Sequence, residues 1–253
     1  MDKVGFLAAN SAANAMARQE NVANNIANIN TNGFRSTIMA MQSTPLIPEN
    51  ARGEARLNSR TYAAETVVGF DNRPGTMQNT GRPLDMAIQS EGWFAVQRPG
   101  GGEGYTRAGA FQVNQEGVLV SAEGLPVLGQ GGAQIEIPAG AAIRISEGGL
   151  VSAFDNGAPE AGFVEVGQLR LVNPNPANME RGNDGFFQTV DGAAAPQAEN
   201  VRVMSGFLEG SNVNPATAMV EMIAAQRSFN MSMKAVATAK EDDQKADGAL
   251  RAS

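Results

Sequence analysis

Glycine is almost confined to the middle of the chain: 25 of the 29 glycines lie between residues 61 and 210, with three before and one after. Glycine weakens helix interiors through its backbone entropy and suits turns. The middle is therefore expected to fold as short strands and turns, and only the ends are free to be helical. Helical stripes at opposite ends of 253 residues pack when the chain doubles back, or against another molecule, so assembly is the first functional expectation.

The N-terminal stripe runs from Val4 to Ile29, with Val4, Leu7, Val22, Ile26 and Ile29 at helical spacings and Ala and Ser filling the face between. Asn28, Asn30, Thr31, Asn32 and Gly33 signal its exit, because Asn and Gly tolerate the left-handed backbone that ends helices, so the helix should stop near Asn30. So few large apolar residues make an isolated helix marginal in water, and it is expected to be disordered in the free monomer. At the other end, Asn214 caps orphan amides and Pro215 suits the first helical position, where no donor is needed. The stripe that follows comprises Met219, Met222, Ile223, Gln226, Phe229, Met233, Val236 and Ala237 at coiled-coil spacing. Past Lys240 it is lost, and the tail is expected to fray.

Between the ends, residues 36–60 carry Pro45, Pro48, Gly53 and Arg52, Arg56 and Arg60 with little apolar periodicity, which reads as an extended connector. From Thr61 to Gly210, runs such as GVLV, IEI, IRI and GQLRLV alternate with glycine-containing turns, the pattern of an all-β domain. The expected fold is α+β: N- and C-terminal helices pairing as a coiled-coil-like core layer, with a central all-β domain. The segments are 1–35 (helix and signature), 36–75 (connector), 76–210 (β domain) and 211–253 (helix).

Charge follows the same division. Residues 61–210 hold eight basic against 17 acidic residues, whereas the ends are close to balanced. An acidic middle repels nucleic acid and anionic lipid, and balanced ends pack without self-repulsion. Cysteine and histidine are both absent, which removes disulfides, Cys-based metal sites and the commonest general base. No apolar run reaches the length of a membrane span, and the first residues lack a signal peptide's apolar core.

Catalytic alternatives are thin. The GGGEG run at Gly100–Gly104 lacks the lysine and helix of a phosphate cradle and reads as a hairpin loop. Asp85 with Glu91, and Asp184 with Asp191, are conceivable acid–base pairs, but no nucleophile or orienting group accompanies them. No catalytic, cofactor-binding or metal site is expected. Asn24, Asn25 and Asn28 form a polar face that either frays or bonds across a helix–helix seam.

The stretch NVANNIANINTNGFR at 21–35 resembles the N-terminal signature of bacterial flagellar rod and hook proteins, and GSNVNPATAMVEMIAAQRSFNMSMK at 210–234 resembles their C-terminal one. RPLDMAIQSEGWFAVQ at 82–97 and EGYTRAGAFQVNQEGVLVSAEGLPVLG at 103–129 resemble the family's β domain. VGQLRLVNP at 166–174, RGNDGFF at 181–187 and RVMSGFLEGSNVNP at 202–215 resemble its proximal-rod members, with the distal-rod members as the alternative.

The resemblance implies a structural subunit of the basal-body rod, the drive shaft that transmits torque. It implies export through the flagellar type III apparatus without a cleavable signal peptide and assembly in the periplasm with other rod subunits and neighbouring axial proteins. Paired terminal helices would build the tube and the β domain its outside, with no membrane insertion and no nucleic acid. The expected assembly interface is Val22, Asn24, Asn25, Ile26, Asn28, Ile29, Met219, Met222, Ile223, Gln226, Phe229 and Met233. A secreted β-domain enzyme acting on a glycan, or a ligand-binding module, would use the middle as the working part.

Overall fold

The computed structural model describes residues 2–45, 61–154 and 162–251. It is α+β, with one long helix at each end and a β-rich middle. Two compact units emerge. A terminal unit gathers Met1–Ala27, Thr37–Phe70 and Asn214–Ser253, and a central unit gathers Asn28–Ser36 and Asp71–Val213. Boundaries at 35, 75 and 210 follow residue pattern; the contacts divide the chain at 27, 37, 70 and 213.

The terminal unit holds α1 (Asp2–Ala27), β1 (Thr37–Pro45), β2 (Thr61–Phe70) and α2 (Pro215–Arg251). Capping chemistry sets the inner helix ends: the chain leaves α1 through a turn at 28–30, and Asn214 Oδ1 accepts the Thr217 amide at 3.1 Å at the start of α2. The two ends of the expected connector pair with each other. β1 and β2 form an antiparallel ribbon from Thr37↔Phe70 to Pro45↔Thr61, with a bulge at Ile38/Met39. Residues 46–60 lie outside the described residues.

The helices α1 and α2 pack together. On α1 the buried or half-buried residues step through Ala8, Ala12, Ala15, Gln19, Val22 and Ile26. On α2 they step through Ala218, Met222, Ala225, Phe229, Ser232, Val236 and Ala239. Both series alternate three and four residues, the spacing that keeps one face turned to a partner. Small residues take most of the deepest positions, and Ser232 Oγ donates to Ser11 Oγ at 3.1 Å. The expected α2 stripe divides here: Met222, Phe229 and Val236 turn inward, and Met219, Ile223, Gln226, Met233 and Ala237 are exposed. Large apolar side chains drew the sequence reading to one face, while alanines allowed the closest helix approach on another.

The expected fraying past Lys240 is corrected, because α2 continues to Arg251. Seven of those eleven residues (Glu241, Gln244, Lys245, Ala246, Ala249, Leu250 and Arg251) are good helix formers, enough to offset three Asp and Gly248 in a helix already started.

The central unit is built from β3 (Met77–Asn79), β4 (Met86–Ile88), β5 (Trp93–Gln97), β6 (Glu103–Thr106), β7 (Gln112–Val113), β8 (Leu119–Val120), β9 (Ala142–Ile145), β10 (Leu150–Phe154), β11 (Phe163–Gln168), β12 (Leu171–Val172), β13 (Met179–Arg181), β14 (Phe187–Thr189), β15 (Val203–Ser205) and β16 (Phe207–Glu209). These make a five-stranded sheet in the order β12-β5-β6-β14-β13, a three-stranded sheet β11-β10-β9, and the pairs β15-β4, β16-β3 and β7-β8. All the pairings are antiparallel. The core joins Met86, Ile88, Phe94, Phe111, Leu119, Val151, Leu169 and Leu171, among others, with Phe94 edge-on to Phe111 at 5.1 Å. Each such fully buried side chain contributes roughly 1.5–3 kcal/mol. The glycine run after Pro99 is the β5–β6 hairpin loop, closed by Arg98 N donating to Gly102 O at 3.1 Å.

Candidate assembly site

Exposed large apolar side chains are concentrated on one unit. Of 17 such residues among those described, 12 belong to the terminal unit, although it is the smaller. On α1 they are Phe6, Leu7 and Met16; on the ribbon, Ile38, Met41, Val67 and Val68; on α2, Met219, Val220, Ile223, Met231 and Met233. Isolated exposed apolar residues are ordinary, but this density singles the unit out as a candidate interaction surface.

Beside it, a notch of about 380 Å³ opens among α1, the ribbon and α2, lined by Leu7, Asn14, Arg18, Met41, Glu65 and Ser228. Its wall is fixed by polar bonds. Arg18 forms an ion pair with Glu65, with Nε donating to Oε2 at 3.1 Å, and the Glu65 amide donates to Asn14 Oδ1 at 3.3 Å.

The expected interface residues separate into groups. Val22 and Asn25 are buried; Ile26, Asn28, Ile29, Met222 and Phe229 are half-buried; Asn24, Met219, Ile223, Gln226 and Met233 are exposed. The amide of Asn25 serves the ribbon: Nδ2 donates to Thr37 O and Asn21 Oδ1, both at 3.2 Å, and Oδ1 accepts Thr37 N at 3.0 Å. Asn28 Oδ1 accepts the Thr31 hydroxyl at 3.1 Å, closing the helix exit.

A second arrangement lies in the central unit, where Arg35, Arg107 and Glu209 are buried together. Arg35 Nη1 lies 2.6 Å from Glu209 Oε1, and Arg107 Nε lies 3.2 Å from Glu209 Oε2. Arg35 Nη1 also donates to Arg73 O at 2.7 Å, Arg107 Nη2 to Ser90 O at 2.8 Å, and the Gly75 amide to Glu209 Oε1 at 3.0 Å. Burial pushes Arg107 down to about 10, against the opposing pull of Glu209. Arg181 donates to Arg35 O at 2.7 Å, with its guanidinium over the rings of Phe34 and Phe187. Burial lowers its pKa too.

None of these four charged residues stood among the expected interface residues. The available signals were Arg35 closing the NTNGFR signature and Glu209 standing alone inside the apolar GFLEG. Their pairing spans most of the chain, so no local pattern displays it.

Gly33 shows how tightly this node is packed. Its φ is +69°, and a Cβ there would lie 2.3 Å from the Arg107 carbonyl carbon. Gly33→Ala should therefore lower stability by about 2–4 kcal/mol, combining left-handed strain with a backbone clash. Thermal unfolding followed by Trp93 fluorescence would check it.

Three of the four conceivable acid–base residues have structural partners. Asp85 is buried beside Arg82 at 3.2 Å, Asp184 pairs with Arg98 at 2.6 Å, and Asp191 Oδ1 accepts the Ala193 amide at 3.2 Å. Among the described residues, no helix is long and apolar enough to cross a membrane.

Two regions of the chain match known protein families. Residues 204–248 match the family model described as flagellar basal body rod FlgEFG protein C-terminal, and residues 87–153 match that of the flagellar hook protein FlgE/F/G D1 domain. The flagellar basal-body rod protein FlgF of Escherichia coli K12 is 38% identical over 259 residues, covering 100% of both chains. The chain belongs to the flagellar basal-body rod protein family. The FlgF of Caulobacter vibrioides is 33% identical, covering 84% of this rod protein and 83% of the relative. A FlgG, from Agrobacterium fabrum, is also 33% identical, with 88% and 89% covered. The C-terminal match spans β16, Glu209 and α2 to residue 248, so it takes in both the buried carboxylate and the exposed face of α2.

Proposed function

We propose that this protein is a structural subunit of the flagellar rod, of the FlgF type, whose terminal unit is the polymerising element. The observation that carries the reading is the concentration of exposed apolar side chains on that unit. Membership of the rod family and full-length similarity to FlgF at 38% identity support it. The FlgG type, or distal-rod reading, is the alternative.

In this reading α1 and α2 pair as a coiled-coil-like layer of the tube, and the acidic central unit dresses the outside. Val22, Asn25, Ile26, Met222 and Phe229 hold the subunit's own helices and ribbon. Asn24, Asn28, Ile29, Met219, Ile223, Gln226 and Met233 meet neighbouring rod subunits and axial proteins. The chain travels unfolded through the type III export apparatus and assembles across the periplasm, without inserting into a membrane or binding nucleic acid. Its work is mechanical, with no catalytic step and no cofactor.

Position along isolated basal bodies tests the proposal. A label on the central unit should decorate the proximal segment of the rod, and deleting the gene should leave the rod incomplete and cells non-motile. Label on the distal segment would favour the FlgG type. Complete rods in the deletion strain would end the structural reading.

A further inference from the structure

The chain passes between the two units four times, after Ala27, before Thr37, after Phe70 and before Asn214. Asn212 ties the central-unit sides of these crossings together. Its Oδ1 accepts the Ser36 amide at 2.7 Å. Its Nδ2 donates to Asp71 O at 2.8 Å and to Arg73 O at 3.0 Å, and its own amide donates to Phe34 O at 3.2 Å. Ser36 O in turn accepts the Asp71 amide at 2.8 Å, and Glu209 O accepts the Gly33 amide at 2.7 Å.

A carboxamide offers two donors and an acceptor on one short arm, and here all three functions are used, each on a backbone group. Aspartate would keep the acceptor and lose both donors. Glutamine would carry the same groups one methylene too far. Beneath this layer, the buried Arg35–Glu209 pair joins the same two segments by charge.

We propose that Asn212 is a positioning residue that clasps the roots of α1, the β1–β2 ribbon and α2, so that segments far apart in sequence meet as near neighbours. The terminal unit is discontinuous, and bringing its pieces together from separate tethers costs loop-closure entropy that grows with tether length. With the clasp closed, the tethers are a few residues long. With it open, they lengthen to roughly ten, and helix pairing becomes about sixfold less favourable on the three-halves power of length. The use of this clasp in polymerisation rests on the rod reading above; the clasp itself is a property of the single chain.

The absence of native cysteine gives a direct measurement. Ser11→Cys with Ser232→Cys, placed where the hydroxyls sit 3.1 Å apart, forms a disulfide whose equilibrium against glutathione reports the effective concentration of one helix at the other. In dilute full-length protein, Asn212→Ala should lower that concentration by up to about sixfold, and Asn212→Asp by at least as much, because its carboxylate would set an acceptor against the Asp71 and Arg73 carbonyls. Trp93 fluorescence and central-unit melting should stay unchanged.

An unaltered disulfide equilibrium in Asn212→Ala would overturn the clasp. So would a fall that tracks loss of Trp93 burial in both variants, because Asn212 would then only stabilise the central unit. Failure of the wild-type protein to enter rods would defeat the rod reading and leave the disulfide measurement standing.

Discussion

Replacing Glu209 with Ala should unfold most of the central unit's packing around β16. Arg35 and Arg107 would then face each other, both buried, with no carboxylate between them. Removing one member of a buried ion pair typically costs about 3–5 kcal/mol, and here one carboxylate serves two guanidiniums. That loss is a large share of the roughly 5–15 kcal/mol that stabilises a typical domain. Glu209→Gln should fail by a similar mechanism, since it keeps a carbonyl for the Gly75 amide but removes the charge.

Arg107 gives the internal control. Its pKa is already depressed to about 10 by burial, so its charged form is disfavoured in the fold. For a base, that is a cost fully present below pH 10 and relieved only as pH rises through that value towards the unfolded one. Near neutrality the node should therefore contribute no slope of stability with pH through Arg107. Arg107→Met should be tolerated far better than Glu209→Ala, because Arg35 and Glu209 remain a matched pair. Combined with Glu209→Gln, it should recover part of the loss. Urea denaturation of the four proteins would show this, and equal losses for Arg107→Met and Glu209→Gln would refute a charge-balanced node.

What could be read from sequence was the chemistry that acts over a few residues. Asn214–Pro215 announced the start of α2 because capping needs only local groups, and the asparagine cluster with Gly33 announced the exit from α1. The glycine distribution located the β-rich middle for the same reason. The seam within the subunit is only partly legible, because Met219, Ile223 and Met233 are large, while Ala218, Ala225 and Ser232 carry no such weight in a periodicity and yet sit deepest on α2. The ribbon was read as a connector, since nothing in Thr37–Pro45 alone reveals that Thr61–Phe70 will pair with it. Arg35, Arg107, Glu209 and Asn212 were missed because their roles exist only once distant segments meet. A buried charge is legible from its partner, and the partner is set by topology.

The division of the α2 stripe turns one assembly test into two. Ile223 is half exposed and on the outer face of α2, so Ile223→Asp should change monomer stability by no more than about 0.5 kcal/mol while abolishing incorporation into rods. A charge at that position must be desolvated when a neighbour covers it, and an unpaired buried charge is among the costliest groups to accommodate. Ala225 is almost fully buried, so Ala225→Leu should instead push the two helices apart at a cost of about 1–3 kcal/mol. It should impair assembly by damaging the subunit itself. Circular dichroism and melting of purified monomers, set beside swarming and the recovery of rods, separate the two routes. If Ile223→Asp built normal rods, the exposed face of α2 would not be the polymerising surface. The weight would then shift to the ribbon and α1, where Met41, Val67 and Leu7 offer the remaining exposed apolar area.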